Sequence, residues 1–221
     1  MRPKGKNCEA HSTGFVLSGG RSSRMGVDKA TVQLAGQPLI FHALEILRQA
    51  GLTASIAGAR TQLSAFAPVV ADSELDRGPL GGICAALDST TARRAVFIPV
   101  DLPLLPASLV TFLLEQAKSC GAAVSVVEVN GFMQTFPAVV DRAVLPTLRI
   151  ELEAGRGACL AAFKNASRVL GRPAKVVSLE AALGAGDVVH PHGLPAECWF
   201  LNVNTAADIV RAEAYLARRI A

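Results

Sequence analysis

The chain is poor in the features that mark most specialised protein classes. No apolar run approaches the roughly 20 residues that cross a bilayer, so no membrane partner is expected. The five cysteines, Cys8, Cys84, Cys120, Cys159 and Cys198, are scattered and odd in number. No Cys-x-x-Cys or Cys/His cluster joins them, which argues against a disulfide framework or a zinc site. They read as small side chains of a reducing compartment. Aromatics are scarce, with nine Phe, one Tyr and one Trp. Net charge is only +4, and the basic residues are dispersed apart from one loop and Arg218-Arg219. A nucleic-acid binder would show a denser basic face interleaved with aromatics, so no nucleic-acid partner is expected. A mild positive balance suits an anionic small molecule. The four histidines, His11, His42, His190 and His192, pair with no nucleophile pattern and read as surface residues. Met1 to Ser12 is polar and basic, without the apolar stretch of a secretory signal. The expectation is a flexible tail over residues 1–13, one domain over 14–221, and a cytoplasmic protein.

What the chain does have is a glycine-rich basic loop near its start. Gly14-Phe15-Val16-Leu17 reads as a buried strand, and Ser18-Gly19-Gly20-Arg21-Ser22-Ser23-Arg24-Met25-Gly26-Val27-Asp28-Lys29 follows it. Glycines let the backbone take positive φ and bring its N–H groups to a ligand. Arg21, Arg24 and Lys29 suit a polyanion such as a triphosphate. A Walker A loop is excluded, because Val27-Asp28-Lys29 follows Gly26 in place of Lys-Ser/Thr. The dinucleotide fingerprint G-x-G-x-x-G is likewise missing.

Strand and helix patterns alternate along the rest. Helices are expected over Pro38–Ala50, Arg60–Phe66, Leu80–Leu87, Ser108–Ser119, around Ala143–Glu153 and Ala158–Ala166, and over Ala206–Arg219. Strands are expected over Thr53–Ala57, Val69–Ala71, Ala95–Val100, Ala122–Val129, Gln134–Val140, Lys175–Leu179 and Trp199–Val203. Ala182–Glu197, with its glycines and prolines, reads as an exposed loop. Such alternation predicts an α/β fold of three layers, a mostly parallel sheet with helices on both faces. In such sheets ligands lie at the C-terminal ends of strands. The basic loop, Asp72 after Val69–Ala71, and Asp101 after the most β-like run all fall there. Asp101, set between Pro99 and Pro103, is placed to hold Mg²⁺ beside a polyphosphate.

These residues resemble a family. Leu17-Ser18-Gly19-Gly20-x-Ser-x-Arg24-Met25-Gly26-x-Asp28-Lys29 is similar to the signature loop of nucleotidyltransferases that activate small molecules with NTP. Together with Gly78-Pro79-Leu80, Val100-Asp101-Leu102-Pro103-Leu104 and Asn202-Val203-Asn204, it most resembles the molybdenum cofactor guanylyltransferases. Gly36-Gln37-Pro38, Phe136-Pro137-Ala138, Leu152-x-x-Gly155-Arg156 and Thr205-x-x-Asp208 add to the likeness, which spans about residues 14 to 215. The resemblance implies a Rossmann-like fold of the nucleotide-diphospho-sugar transferase type. It implies transfer of GMP from GTP to the phosphate of molybdopterin, with release of pyrophosphate and dependence on Mg²⁺. Other molybdenum cofactor biosynthesis or acceptor proteins are the further partners it implies.

By the same resemblance, Leu17, Ser18, Gly19 and Gly20 would hold the nucleotide through main-chain groups. Arg24 and Lys29 would meet phosphate, and Asp72 the guanine nucleoside. Asp101 would bind Mg²⁺ beside GTP, and Asn202 and Asn204 would face the pterin phosphate or the metal. The chain departs from the family at Ser18, at Ala57 and Ala59, and at Gln134. A carboxylate at Asp72 can accept from guanine N1–H and N2–H together, which favours guanine. A cytidylyltransferase for the same pterin, another small-molecule phosphate nucleotidyltransferase and a non-catalytic nucleotide-binding domain are the alternatives.

Overall fold

The computed structural model describes residues 12–18, 28–58, 61–71 and 78–217. Residues 1–11 of the tail expected over 1–13, the loop residues Gly19, Gly20 and Arg24, and Asp72 lie outside the described residues. β1 (Ser12–Leu17) starts two residues before the expected domain boundary at residue 14. It is followed by a short hairpin, β2 (Gln33–Leu34) and β3 (Gln37–Pro38), and by α1 (Leu39–Gln49). Then come β4 (Thr53–Ala57), a 3₁₀ turn Thr61–Ala65, β5 (Val69–Val70), α2 (Gly78–Ser89), β6 (Arg94–Pro99) and α3 (Ala107–Ser119). The second half runs β7 (Val124–Val129), β8 (Phe132–Asp141), α4 (Leu145–Glu153), α5 (Cys159–Val169), β9 (Ala174–Ser178), α6 (Leu179–Gly184) and α7 (Ala206–Ala217).

Among the described residues seven strands make one sheet in the order β5-β4-β1-β6-β8-β7-β9. β1 lies parallel to β4 and β6, β4 to β5, and β7 to β9. Among these described strands β8 alone runs against its neighbours, β6 and β7. Its reversal has a local cause. Asn130 and Gly131 both take positive φ, 50° and 77°, between the paired residues Val129 and Phe132. That two-residue turn matches the right-handed twist of the flanking strands and closes a hairpin.

Successive side chains of a strand point to opposite faces, so each buried strand feeds two cores. On one face Phe15, Leu17, Ala95 and Phe97 pack against α2, α4 and α5. The rings of Phe15 and Phe97, paired in register across β1 and β6, stack at 5.6 Å. On the other face Val16, Val96 and Ile98 meet α1, α3 and α6. Each fully buried aliphatic side chain contributes about 1.5–3 kcal/mol of transfer free energy. The chain is rich enough in them to clad both faces.

One expectation fails and another holds only in part. Trp199–Val203 is not a strand: a 3₁₀ turn, Ala196–Cys198, leads into an irregular segment. Its apolar residues are buried by insertion, with the Trp199 indole N–H donating to the Leu194 carbonyl at 2.9 Å. A short apolar run reads the same whether it pairs in a ladder or plugs a core. Ala182–Glu197 is largely exposed loop beyond Gly184, as expected, but not throughout. α6 reaches into it, and Ala182, Val188 and Leu194 are buried. Among the described residues no helix is long and apolar enough to cross a membrane.

The described cysteines are free thiols, with Cys120 exposed and Cys84, Cys159 and Cys198 buried. Burial pushes the thiols of Cys159 and Cys198 up to about 11, helped at Cys198 by the charge of Glu197. Since the thiolate is the nucleophile, iodoacetamide at neutral pH should alkylate Cys159 and Cys198 at least about a hundredfold more slowly than Cys120. Peptide mapping by mass spectrometry checks this; comparable rates at the three sites would contradict the sealed packing.

Candidate active site

The chain moves from β1 outward to β4 and β5, then crosses to β6 on the other side of β1. The intervening helices α1 and α2 pack on opposite faces. The C-terminal ends of β1 and β6 therefore flank a topological switch point, where open α/β sheets form their ligand crevice.

At that end the backbone is tied strand to strand. The Leu17 carbonyl accepts from the Val100 N–H at 3.2 Å. Ser18 is buried, and its N–H donates to the Ala57 carbonyl at 3.1 Å. Its hydroxyl reaches the same oxygen at 3.3 Å. The hydroxyl that distinguishes Ser18 is thus satisfied by β4. Gly58, at φ 140°, closes β4 in a conformation that side chains rarely allow. These bonds fix the point where the basic loop leaves the sheet.

The loop returns at Asp28. The Asp28 carboxylate accepts from the Ala30 N–H at 3.0 Å and from the Gln62 amide at 3.1 Å. It caps the 3₁₀ turn Lys29–Thr31. The cap sets the direction of Lys29, whose Nζ lies 2.8 Å from Asp101 Oδ2. The same ammonium donates to Asn204 Oδ1. Three residues far apart in sequence thus meet around one positive charge. The side chains of Lys29 and Asp101 are partly sheltered, at 17% and 23% exposure, and Asn204 is exposed.

Asn204 is brought there by two devices. The Val203 N–H donates to the Asp101 carbonyl at 2.9 Å, stitching the irregular segment to the end of β6. Just beyond, the Asp208 carboxylate accepts from the N–H groups of Asn204 and Thr205 at 3.0 and 2.8 Å. The Thr205 hydroxyl accepts in return from the Asp208 N–H at 3.3 Å. This is a capping box at the start of α7. The Asn204 N–H and the Thr205 hydroxyl hold the Asp208 carboxyl below the usual carboxylate range.

Of the expected site residues, Lys29, Asp101 and Asn204 are therefore in direct contact. Leu17 and Ser18 line the end of β1, and Asn202 is exposed on the segment next to Val203. Gly19, Gly20, Arg24 and Asp72 lie outside the described residues. Sequence reasoning passed over Asp28 and Asp208 as positioning residues. The signal for Asp208 was present, since Thr205-x-x-Asp208 before a helical pattern has the spacing of a capping box. On the other half of the sheet, the Arg156 guanidinium forks onto Glu151 at 2.7 and 3.1 Å. Asn165 donates to the same carboxylate at 2.8 Å, so Arg156 is held in place by its neighbours.

Known proteins share this architecture and sequence. A molybdenum cofactor guanylyltransferase of Xanthomonas euvesicatoria pv. vesicatoria is 43% identical over 104 residues, 46% of this chain and 53% of that protein. The match thus spans about half the length of that relative. The molybdenum cofactor guanylyltransferase of Vibrio atlanticus is 35% identical over 154 residues, 68% of this chain and 79% of that protein. The crystal structure of molybdopterin-guanine dinucleotide biosynthesis protein A from Archaeoglobus fulgidus superposes with a TM-score of 0.74 at 20% identity. That superposition covers 93% of this chain and 99% of the other, and it shows a shared fold. The MobA-like NTP transferase domain matches residues 14–172, well over half of the chain, and the chain belongs to that family.

Proposed function

We propose that this protein transfers GMP from GTP to the phosphate of molybdopterin, giving molybdopterin guanine dinucleotide and pyrophosphate. The observation that carries the reading is the meeting of Lys29, Asp101 and Asn204 at the switch point of a MobA-like chain. Cytoplasmic action belongs to the same reading, as does hand-over of the product to other proteins that use or complete the cofactor.

The chemistry asks for positioning more than for acid–base catalysis. A phosphate monoester carries anionic oxygens at neutral pH and needs no dedicated base. One of its oxygens attacks the α-phosphorus of GTP, a new P–O bond forms, and the bond to the β-phosphate bridging oxygen breaks. Pyrophosphate leaves with the negative charge. In-line geometry and neutralisation of that charge supply the acceleration. Lys29, aimed by the Asp28 cap, presents its ammonium to the leaving phosphates, and Arg24 would add a second cation for them. Leu17 and Ser18 fix the point from which the loop starts, and with Gly19 and Gly20 they would hold the nucleotide through main-chain groups. Asp72 reads the guanine edge.

Among the described residues no group of three or more His, Cys, Asp or Glu is placed to hold a metal. A magnesium ion needs no such cage, since it takes one or two carboxylates, substrate phosphates and water. The side-chain oxygens of Asp101 and Asn204 converge on the Lys29 ammonium, so the donor set fits a hard cation. Asp101, with Asn204 beside it, would hold Mg²⁺. When bound, Mg²⁺ supplies charge neutralisation on the phosphate oxygens.

Pyrophosphate release from each of GTP, ATP, CTP and UTP, with and without molybdopterin, tests the reading. Release should require molybdopterin, and kcat/KM should favour GTP by about a hundredfold or more, as expected of a site hydrogen-bonded to one base. A preference for CTP would make the protein a cytidylyltransferase for the same pterin. Release from no nucleotide would overturn the enzymatic reading.

A further inference from the structure

We propose that the Lys29 ammonium is a placeholder for the metal, sitting on the metal's own oxygens until metal and triphosphate arrive together. The inference rests on the reading of Asp101 as the metal-holding carboxylate and Lys29 as a phosphate contact.

The geometry carries it. Lys29 Nζ lies 2.8 Å from Asp101 Oδ2 and also donates to Asn204 Oδ1. These oxygens come from segments about a hundred residues apart, joined by the Val203 to Asp101 backbone bond. An ammonium with three donors bridges them as a small hard cation would. Magnesium takes oxygen ligands at about 2.1 Å, so its seat on these oxygens overlaps the one that Nζ holds. Two cations on one partly sheltered carboxylate repel at an effective dielectric well below that of water. Metal can therefore take Asp101 fully only if the ammonium leaves.

Lys29 can leave without disturbing the fold. Its backbone is anchored by the Asp28 cap, and its four-carbon stem turns by side-chain rotations alone. What it needs is another set of anionic oxygens. The β- and γ-phosphates of a nucleotide supply them, and a free divalent ion does not. The exchange therefore couples metal entry to triphosphate entry and disfavours metal alone.

The test is binding of Mn²⁺, read by the electron paramagnetic resonance signal of the free ion. Lys29→Met keeps the stem and removes the charge. Without nucleotide it should bind Mn²⁺ at least about tenfold more tightly than the unaltered protein, because the competing cation is gone. The gain should vanish in the Lys29→Met, Asp101→Asn double variant. With a GTP analogue carrying a methylene bridge between the α- and β-phosphates, the order should reverse, and Lys29→Met should bind the Mn²⁺ complex more weakly than the unaltered protein. Lys29→Gln, checked with Lys29→Met for an intact thermal transition, provides a second neutral side chain.

Equal or weaker binding of Mn²⁺ alone by folded Lys29→Met and Lys29→Gln overturns the exchange. If Asp101→Asn still loses the Mn²⁺ complex of the analogue in that case, the metal role of Asp101 survives and the placeholder role alone has failed. If Asp101→Asn leaves that complex untouched, the metal is not on Asp101 and both readings fall.

Discussion

Asp101→Ala is expected to lower kcat for pyrophosphate release by at least about a hundredfold, the effect of removing a charge that organises a phosphoryl transition state. The fold should survive. What ties Asp101 into the structure is its backbone carbonyl, which accepts from the Val203 N–H at 2.9 Å whatever the side chain. The ion pair to Lys29 joins partners at 23% and 17% exposure, and such a pair contributes only about 1 kcal/mol or less. The melting transition should therefore shift little while turnover collapses. Steady-state assays at saturating GTP and Mg²⁺, beside a thermal melt of the same preparation, separate the two. Activity above about a tenth of the unaltered protein's would be too high for a metal-holding carboxylate. Asp101 would then be the counter-charge of Lys29 alone.

Much of the fold was open to reading because most strands are short, rich in apolar residues and bounded by turn residues. Val96–Ile98 carries no polar side chain, and its burial on both faces of the sheet explains why. The reading that failed has a physical origin. Trp199–Val203 satisfies the apolar criterion for a strand, yet its apolar side chains pack into the core beside α6 and α7 and its backbone pairs with no ladder. Nothing local distinguishes these outcomes, because the deciding contacts are tertiary.

The antiparallel β8 is a different case. Asn130-Gly131 between two apolar runs is the strongest short-range hairpin signal, and a two-residue connection is too short for a parallel crossover. The alternation of strands and helices elsewhere obscured it. The site was legible as strand ends, not as contacts. Lys29 and Asp101 are brought side by side because β1 and β6 are neighbours, a fact of topology. Asn204 joins them through the Val203 bond and the Asp208 cap, and only the cap has a sequence signature.

At the opposite end of the sheet from this site, Asp141→Asn is expected to destabilise the fold by about 3 kcal/mol or more, the usual cost of removing one partner of a buried charge cluster. Asp141 ends β8, and its side chain is only 3% exposed. Its carboxylate accepts from Arg172 Nη2 at 2.8 Å, from Arg93 Nε at 3.3 Å and from the Ala143 N–H at 3.0 Å. Arg172 in turn donates to the carbonyls of Gly121 and Ala122, which fastens the start of β7 to the chain entering β9. Arg94 lies buried in the same cluster, its pKa lowered by burial and by the charge of Arg93, with Asp141 acting against both. Without the carboxylate, three guanidinium groups would face one another around a sheltered amide.

The pH dependence follows from the same contacts. Burial raises the Asp141 pKa, but the Arg172 hydrogen bond, the Ala143 N–H and the charge of Arg172 outweigh it, and the carboxyl sits below its ordinary value. A carboxyl whose folded pKa lies below the unfolded value of about 3.9 contributes its full stability above that pH and loses it as pH falls through the folded pKa. Urea titrations of both proteins should therefore show a large, constant gap from about pH 7 to about pH 5, narrowing toward about pH 3. Because the cluster lies at the N-terminal end of β6, away from Asp101, kcat per folded molecule should be unchanged. A gap that stays the same at low pH would mean that Asp141 acts through packing and neutral hydrogen bonds, with no part for its charge.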